Sequence, residues 1–292
     1  MTNKKTIETK LQLMPSNKEE PVTLRTLKKW SMADRKWACL TCYDALTARW
    51  MSNAGLPVML VGDTAAEMIL GFDSTIHAPL DFLITLTSAV KRGAPNAFVI
   101  GDMPFLSYQV DEASAIKNAG LFLTQGKADA VKLEVDNKWI DRVSAICNAG
   151  IPLIAHLGSK PQQVKQTGGY VSAGRTALEA NQIVADSIAM EEAGASMLLL
   201  EAVPEAVSKA VVKATTIPVI GCGAGSDCHG QVVVMQDLAG LTSWQPAFAQ
   251  PTENLGEAIQ KVAVNWMEKV FRSNLGEHPY KMKIDEEKFF DG

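Results

Sequence analysis

Eight short apolar runs, rich in Val, Ile and Leu, alternate with longer stretches of helical spacing. The runs span 37–42, 58–61, 97–101, 130–133, 153–155, 197–200, 219–221 and 232–235. Continuous apolar runs suit parallel strands covered on both faces. The stretches 44–54, 83–91, 111–124, 139–148, 177–192 and 205–214 read as the helices between them. Several end on a cassette such as Asn53-Ala54-Gly55-Leu56-Pro57 or Asn148-Ala149-Gly150-Ile151-Pro152. Gly caps the last helical turn and Pro blocks its continuation. Eight strand–helix repeats over roughly 250 residues predict a single-domain α/β fold, a (β/α)8 TIM barrel. A doubly wound open sheet is the alternative, but no glycine-rich dinucleotide fingerprint follows the first strand. The barrel is expected over 21–272, with an amphipathic helix over 253–271. Residues 1–20 read as a disordered extension and 273–292 as a polar tail.

Composition narrows the function classes. Asp and Glu number 32 against 28 Lys and Arg, a balance that argues against a nucleic-acid surface. No run of about 18 apolar residues is present, so no membrane partner is expected. The first twenty residues hold no apolar core of a secretory signal. Five scattered cysteines, Cys39, Cys42, Cys147, Cys222 and Cys228, read as structural thiols in a reducing compartment, and a cytoplasmic location follows.

In such a barrel the chemistry sits at the C-terminal strand ends. Asp63 and Thr64 follow the second run, Asp102 the third, Glu134 the fourth, His156 the fifth and Glu201 the sixth, with Lys132 inside the fourth. Four carboxylates, one lysine and one histidine are thus expected at one mouth. The bland reading is that Asp63 and Asp102 cap the helices after their strands. A shared location of the whole set weighs against it. Several carboxylates without a thiolate make a hard oxygen site suited to Mg²⁺ and a chelating 2-oxo acid. A separate carboxylate then serves as base at C3. Lys132 supplies a charge for the substrate carboxylate. His229, after the Gly221–Gly225 loop, is a further candidate. His77 and His278 read as surface. The glycine loop reads mainly as a tight turn, with phosphate binding as its other use.

The motifs carry a resemblance. Leu40-Thr41-Cys42-Tyr43-Asp44, Val61-Gly62-Asp63-Thr64, Gly101-Asp102-Met103-Pro104-Phe105, Val131-Lys132-Leu133-Glu134, His156-Leu157-Gly158, Pro161-Gln162 and Leu200-Glu201-Ala202-Val203-Pro204 occur in order. The sequence resembles the 3-methyl-2-oxobutanoate hydroxymethyltransferase family from about residue 22 to about 242. The resemblance implies a barrel of the phosphoenolpyruvate/pyruvate superfamily kind, Mg²⁺, and 5,10-methylenetetrahydrofolate as co-substrate in pantothenate biosynthesis. It implies metal binding by Asp63, Asp102 and Glu134. It implies substrate contacts from Asp63, Thr64, Asp102, Lys132 and His156, and a proton acceptor in Glu201. It also implies a homo-oligomer, for which the helix over 253–271 is the candidate contact.

The chain departs from the family pattern. Thr64 stands for Ser, Val135-Asp136 for Gly-Gly, Ser159-Lys160 for Leu-Thr, His229 for Asp, and Ala247 for Lys. These positions bear on substrate and folate contacts. Two alternatives remain open: metal-enolate C–C chemistry on another 2-oxo acid, and a barrel without turnover. The Lys-Lys-Cys-Gly-His motif of the related lyases is absent. Intact Asp63, Asp102, Glu134 and Glu201 count against a barrel without turnover.

Overall fold

The computed structural model describes residues 20–280 and residue 283. The extension expected over 1–20 lies, apart from Glu20, outside the described residues, as does most of the tail after Tyr280. The chain divides at Met235/Gln236 into two compact units, where the sequence reading ran one domain to 272.

The first unit is a closed eight-stranded parallel barrel. In chain order its elements are α1 (Leu24–Met32), β1 (Trp37–Thr41), α2 (Ala45–Asn53), β2 (Val58–Val61), α3 (Ala65–Met68), α4 (Leu80–Gly93) and β3 (Phe98–Asp102). Then come α5 (Glu112–Thr124), β4 (Ala130–Glu134), α6 (Ile140–Asn148), β5 (Leu153–Gly158), α7 (Val164–Thr167) and α8 (Ala177–Glu192). The unit continues with β6 (Met197–Glu201), α9 (Glu205–Ala214), β7 (Val219–Cys222) and β8 (Gly230–Val233). Closure joins β8 to β1, with Trp37 opposite Gly230 and Leu40 opposite Val233.

Side chains alternate across the barrel wall. Val58, Leu60, Phe98, Ile100, Ala130, Ile154, Met197, Leu199 and Ile220 form one buried cluster, the lumen core. Their neighbours Met59, Val61, Val99, Val131, Leu133, Ala155, Leu198 and Leu200 belong to a second cluster shared with the helices. A strand turns successive side chains to opposite faces, so i and i+2 share a face. Continuing the lumen set by two residues reaches Asp102, Lys132 and Glu134, His156 and Glu201. The same period that fills the barrel with apolar groups places its polar groups above them.

α1 was not expected. Its first turn is fixed by a reciprocal capping arrangement between Thr23 and Thr26. Its buried residues Leu27 and Trp30 join the lumen cluster with Trp37 and Phe98. Just before it, the Val22 N–H bonds to Asn96 C=O, ahead of β3, so α1 closes the bottom of the barrel. The sequence hides this helix because it is only nine residues long and Arg25, Lys28 and Lys29 interrupt its apolar residues, of which Leu27 and Trp30 are buried.

β8 starts two residues before the expected run. A side chain on Gly230 would meet the Trp37 ring at 2.5 Å, so only glycine opens the strand there. The glycine disguises the strand start, and Met235 already begins a short helix, α10 (Met235–Leu238). β3 to β6 each run past the apolar segments, so five of the site residues lie within strands.

In the second unit, α11 (Leu255–Phe271) starts on Asn254, whose side chain accepts the Glu257 N–H. None of its residues is buried, although Ile259, Val262, Trp266 and Val270 recur at helical spacing.

Candidate active site

β3 to β6 bring the expected residues together. Register sets Asp102 opposite Lys132, and Glu134 opposite His156. Lys132 Nζ lies 2.8 Å from Asp102 Oδ1 and 3.2 Å from His156 Nδ1. The Asp63 N–H donates to Asp102 Oδ2 at 2.9 Å. His156 Nε2 faces Glu201 Oε2 at 3.5 Å, longer than an ordinary hydrogen bond. Asp63, Asp102, Lys132, Glu134 and His156 are all buried. Glu201 differs, with a quarter of its side chain (25%) exposed. It is the carboxylate of the set that opens outward.

The capping alternative fails on this geometry. Asp102 accepts from the Asp63 backbone, and Asp63 Oδ2 accepts from the Gln162 amide at 2.9 Å. α3 has Thr64 as its N-cap and no side-chain cap. The Thr64 hydroxyl is engaged by Tyr43, whose O–H donates to it at 3.0 Å.

β5 and β6 meet at Gly158, opposite Glu201. Gly158 has a left-handed backbone, φ 92°, and a Cβ there would lie 2.5 Å from the Glu201 carbonyl oxygen. Only glycine satisfies both demands. The following Ser159 N–H then donates to that carbonyl, fixing the backbone of Glu201.

Burial dominates the electrostatics. It pushes Asp102 up to about 8, with the Lys132 ammonium pulling it back and Asp63 pushing further. Glu134 is raised well above the carboxylate range by burial and by Asp63. Glu201 is raised to about 7 by burial, against Lys132. Burial works against the Lys132 charge, but Asp102, Asp63 and Glu134 outweigh it and hold the ammonium protonated. Burial, then Lys132 and Lys160, hold His156 well below its ordinary value. The ring is therefore neutral. Facing an ammonium, Nδ1 is the acceptor, which leaves the proton on Nε2 toward Glu201.

The donor set fits a hard divalent cation. Buried carboxylates crowd around a single ammonium and push one another toward protonation, a conflict that a cation offsets. Among the described residues, no three His, Cys, Asp or Glu side chains stand close enough to enclose an ion by themselves. Mg²⁺ is bound through one or two carboxylates together with water and substrate oxygens, so an open arrangement suits it.

Other candidates resolve differently. His229 lies at the start of β8, at the bottom of the barrel, and its Nδ1 accepts the Val219 N–H at 3.0 Å. That position is structural and distant from the mouth. His77 is exposed beside Asp73, and His278 bonds to Tyr280. In the glycine loop, Glu205 accepts from the Ser226 N–H and hydroxyl, placing an anion where a phosphate would sit. No disulfide joins any of the five cysteines, and burial raises Cys39 and Cys42 away from thiolate chemistry. The sequence reading missed Gln162 and Tyr108. Gln162 is buried and touches Asp63 and Glu134, while the Tyr108 hydroxyl bonds to Gln162. The only signal was the Pro161-Gln162 motif, which carried no assigned role.

The family model described as ketopantoate hydroxymethyltransferase matches residues 21–278. The chain belongs to this family. It is 42% identical over 260 residues to the 3-methyl-2-oxobutanoate hydroxymethyltransferase of Mycobacterium ulcerans, covering 88% of this chain and 87% of that one. The Thermobifida fusca protein of the same name is 41% identical over 249 residues, covering 85% and 89%. Among solved structures, 2,3-dimethylmalate lyase, a PEP mutase/isocitrate lyase superfamily member, is similar with a TM-score of 0.57 at 18% identity, covering 92% of this chain and 94% of that one. That likeness concerns the fold, and it bears out the expected barrel architecture. In this member of the ketopantoate hydroxymethyltransferase family the polar residues gathered at the barrel mouth are Asp63, Asp102, Lys132, Glu134, His156 and Glu201.

Proposed function

We propose that this hydroxymethyltransferase moves a hydroxymethyl group from 5,10-methylenetetrahydrofolate to 3-methyl-2-oxobutanoate, giving 2-dehydropantoate in pantothenate biosynthesis. The observation that carries the reading is the division of labour among the carboxylates. Asp63, Asp102 and Glu134 are buried, whereas Glu201 opens outward and is raised to about 7.

Asp63 and Asp102, with Glu134 beside them, hold Mg²⁺. When bound, Mg²⁺ supplies a Lewis acid for the substrate keto oxygen. Lys132 directs a fixed positive charge at the substrate carboxylate, and neutral His156 offers its Nε2–H. Thr64 adds a hydroxyl, oriented by Tyr43. Glu201 removes the C3 proton, which passes to its carboxylate. The electron pair left at C3 then forms the bond to the methylene carbon as that carbon's two bonds to the folate nitrogens break; water supplies the hydroxyl, and the nitrogens take up the protons from C3 and from water, leaving tetrahydrofolate. A base with a value near the working pH combines availability with driving force. The scattered cysteines, none of them in a disulfide, support a cytoplasmic setting. The apolar, unburied face of α11 supports a homo-oligomer.

Proton NMR of 3-methyl-2-oxobutanoate in D₂O tests the reading. Wild type with Mg²⁺ is expected to erase the C3 proton signal, with Glu201→Gln slower by about 10²-fold or more. Addition of the folate then yields product. Absence of exchange in wild type sinks the reading in favour of another substrate or a silent barrel. Exchange without folate-dependent transfer favours C–C chemistry on a different 2-oxo acid.

A further inference from the structure

Gln162 touches two of the proposed metal carboxylates, Asp63 through its side chain and Glu134 through its backbone N–H. It lies in the 3-10 turn Pro161–Gln163 after β5 and is 4% exposed. Its Nε2 donates to Asp63 Oδ2 at 2.9 Å and to the Met103 carbonyl at 3.0 Å. Its backbone N–H donates to both Glu134 oxygens, at 3.2 and 3.0 Å. Its Oε1 accepts from the Tyr108 hydroxyl at 2.9 Å.

The neighbours fix the amide's orientation. Asp63 Oδ2 and the Met103 carbonyl are both acceptors, so the NH₂ group must face them. Tyr108 then meets the carbonyl end of the amide. The same hydroxyl lies 3.0 Å from the Glu134 backbone carbonyl, which ties it to β4. A carboxylate in place of Gln162 would repel Asp63, and a lysine would compete as a cation. A primary amide meets both acceptors without adding charge.

We infer that Gln162 is a positioning residue that holds Asp63 and Glu134 in their metal-receiving orientation, with Tyr108 locking its amide. This rests on the Mg²⁺ reading above. Each carboxylate spends one face on Gln162 and keeps its remaining lone pairs for the ion. Groups in this outer position change metal affinity by about 10- to 100-fold when removed.

The test is Mn²⁺ titration by electron paramagnetic resonance, without substrate, on wild type, Gln162→Met and Tyr108→Phe. Met keeps the unbranched shape and loses the side-chain donors to Asp63 and the Met103 carbonyl, while the backbone N–H to Glu134 remains. Thermal melting of each metal-free protein separates a folding defect from a binding defect. Gln162→Met is expected to weaken Mn²⁺ binding by about 10- to 100-fold with its melting transition intact, and Tyr108→Phe by a few-fold. At saturating Mg²⁺ the variant recovers its C3 exchange rate, since the lesion lies in metal occupancy. Folded variants that bind Mn²⁺ within about twofold of wild type overturn the inference. Should Gln162→Met fail to fold, Tyr108→Phe decides alone. A wild type that binds no Mn²⁺ overturns the metal reading itself and this inference with it, and is recognised before any variant is made.

Discussion

Lys160 Nζ lies 2.5 Å from Asp136 Oδ2, so a residue just after β5 and one just after β4 meet as an ion pair. Their side chains are 16% and 22% exposed. Asp136 also accepts the Lys138 N–H and starts the turn Asn137–Trp139. The Lys160 carbonyl accepts the Gln163 N–H and opens the turn that carries Gln162. The pair therefore ties the loop after β4 to the loop after β5 above the proposed metal carboxylates. A half-buried charge left alone is costly, whereas removing both members is tolerated better. Asp136→Ala and Lys160→Ala are each expected to destabilise by about 1–2 kcal/mol, with a coupling of about 1 kcal/mol in the double-mutant cycle. Urea denaturation of the four proteins checks this. Additive single effects would mean that the ion pair contributes no coupling to stability.

Much of the architecture was legible because one physical rule writes both the core and the site. The apolar runs disclosed all eight strands to within about three residues at either end. Alternation then carried Asp102, Lys132, Glu134, His156 and Glu201 onto the lumen face. α1 escaped because Leu27 and Trp30 bury a short stripe among charges, and the start of β8 was placed two residues late because Gly230 stands where Trp37 needs space. Gln162 escaped for a different reason. It is 99 residues from Asp63 in the chain, and its role depends on a side-chain hydrogen bond that no periodicity encodes. His229 misled because loop position alone does not say which end of the barrel a residue occupies.

Gly158→Ala is expected to damage stability and the site together. The added methyl would meet the Glu201 carbonyl oxygen at 2.5 Å and a Val203 methyl at 2.7 Å, in a backbone region that L-residues avoid. The combined strain is about 2–3 kcal/mol. Because the clash falls on Glu201 itself, C3 exchange should drop more than stability alone explains. A folded variant with wild-type exchange would show that the β5–β6 contact does not place the base.

The pH dependence of C3 exchange should follow Glu201. Burial raises its carboxyl to about 7, against Lys132, and the Cys222 thiol bonded to it pulls in the same downward direction. Only the ionised form accepts a proton, so the rate rises with pH and levels above about 7. Cys222→Ala removes the thiol and should move the midpoint up. A midpoint that moves down in that variant contradicts the assignment.

The metal-free protein should lose stability as pH rises from about 6.5 to 8, and Mg²⁺ should restore it. Burial raises Asp102 from 3.8 to about 8 in the folded chain, partly offset by Lys132. Glu134 is raised in the same sense. In this window the folded state holds protons that the unfolded chain has released, so stability falls with pH, by about 1.4 kcal/mol per unit for each such group. His156 has the opposite sign, since its folded form stays neutral while the unfolded imidazole protonates below its ordinary 6.5. Its contribution is therefore confined to more acidic solution, and the window above 6.5 isolates the carboxylates. Lys132 is raised from 10.5, so it stays protonated in both states there. Mg²⁺ competes with those protons and binds the ionised site, adding about 2.7 kcal/mol at one hundred times its dissociation constant. Calorimetry with chelator and with excess Mg²⁺ reads both slopes. The chelated protein should melt lower at pH 8 than at 6.5, with the Mg²⁺ increment growing in step. A chelated protein that gains stability across that window would show that Asp102 and Glu134 are already ionised, and the crowding that favours a cation would lose its basis.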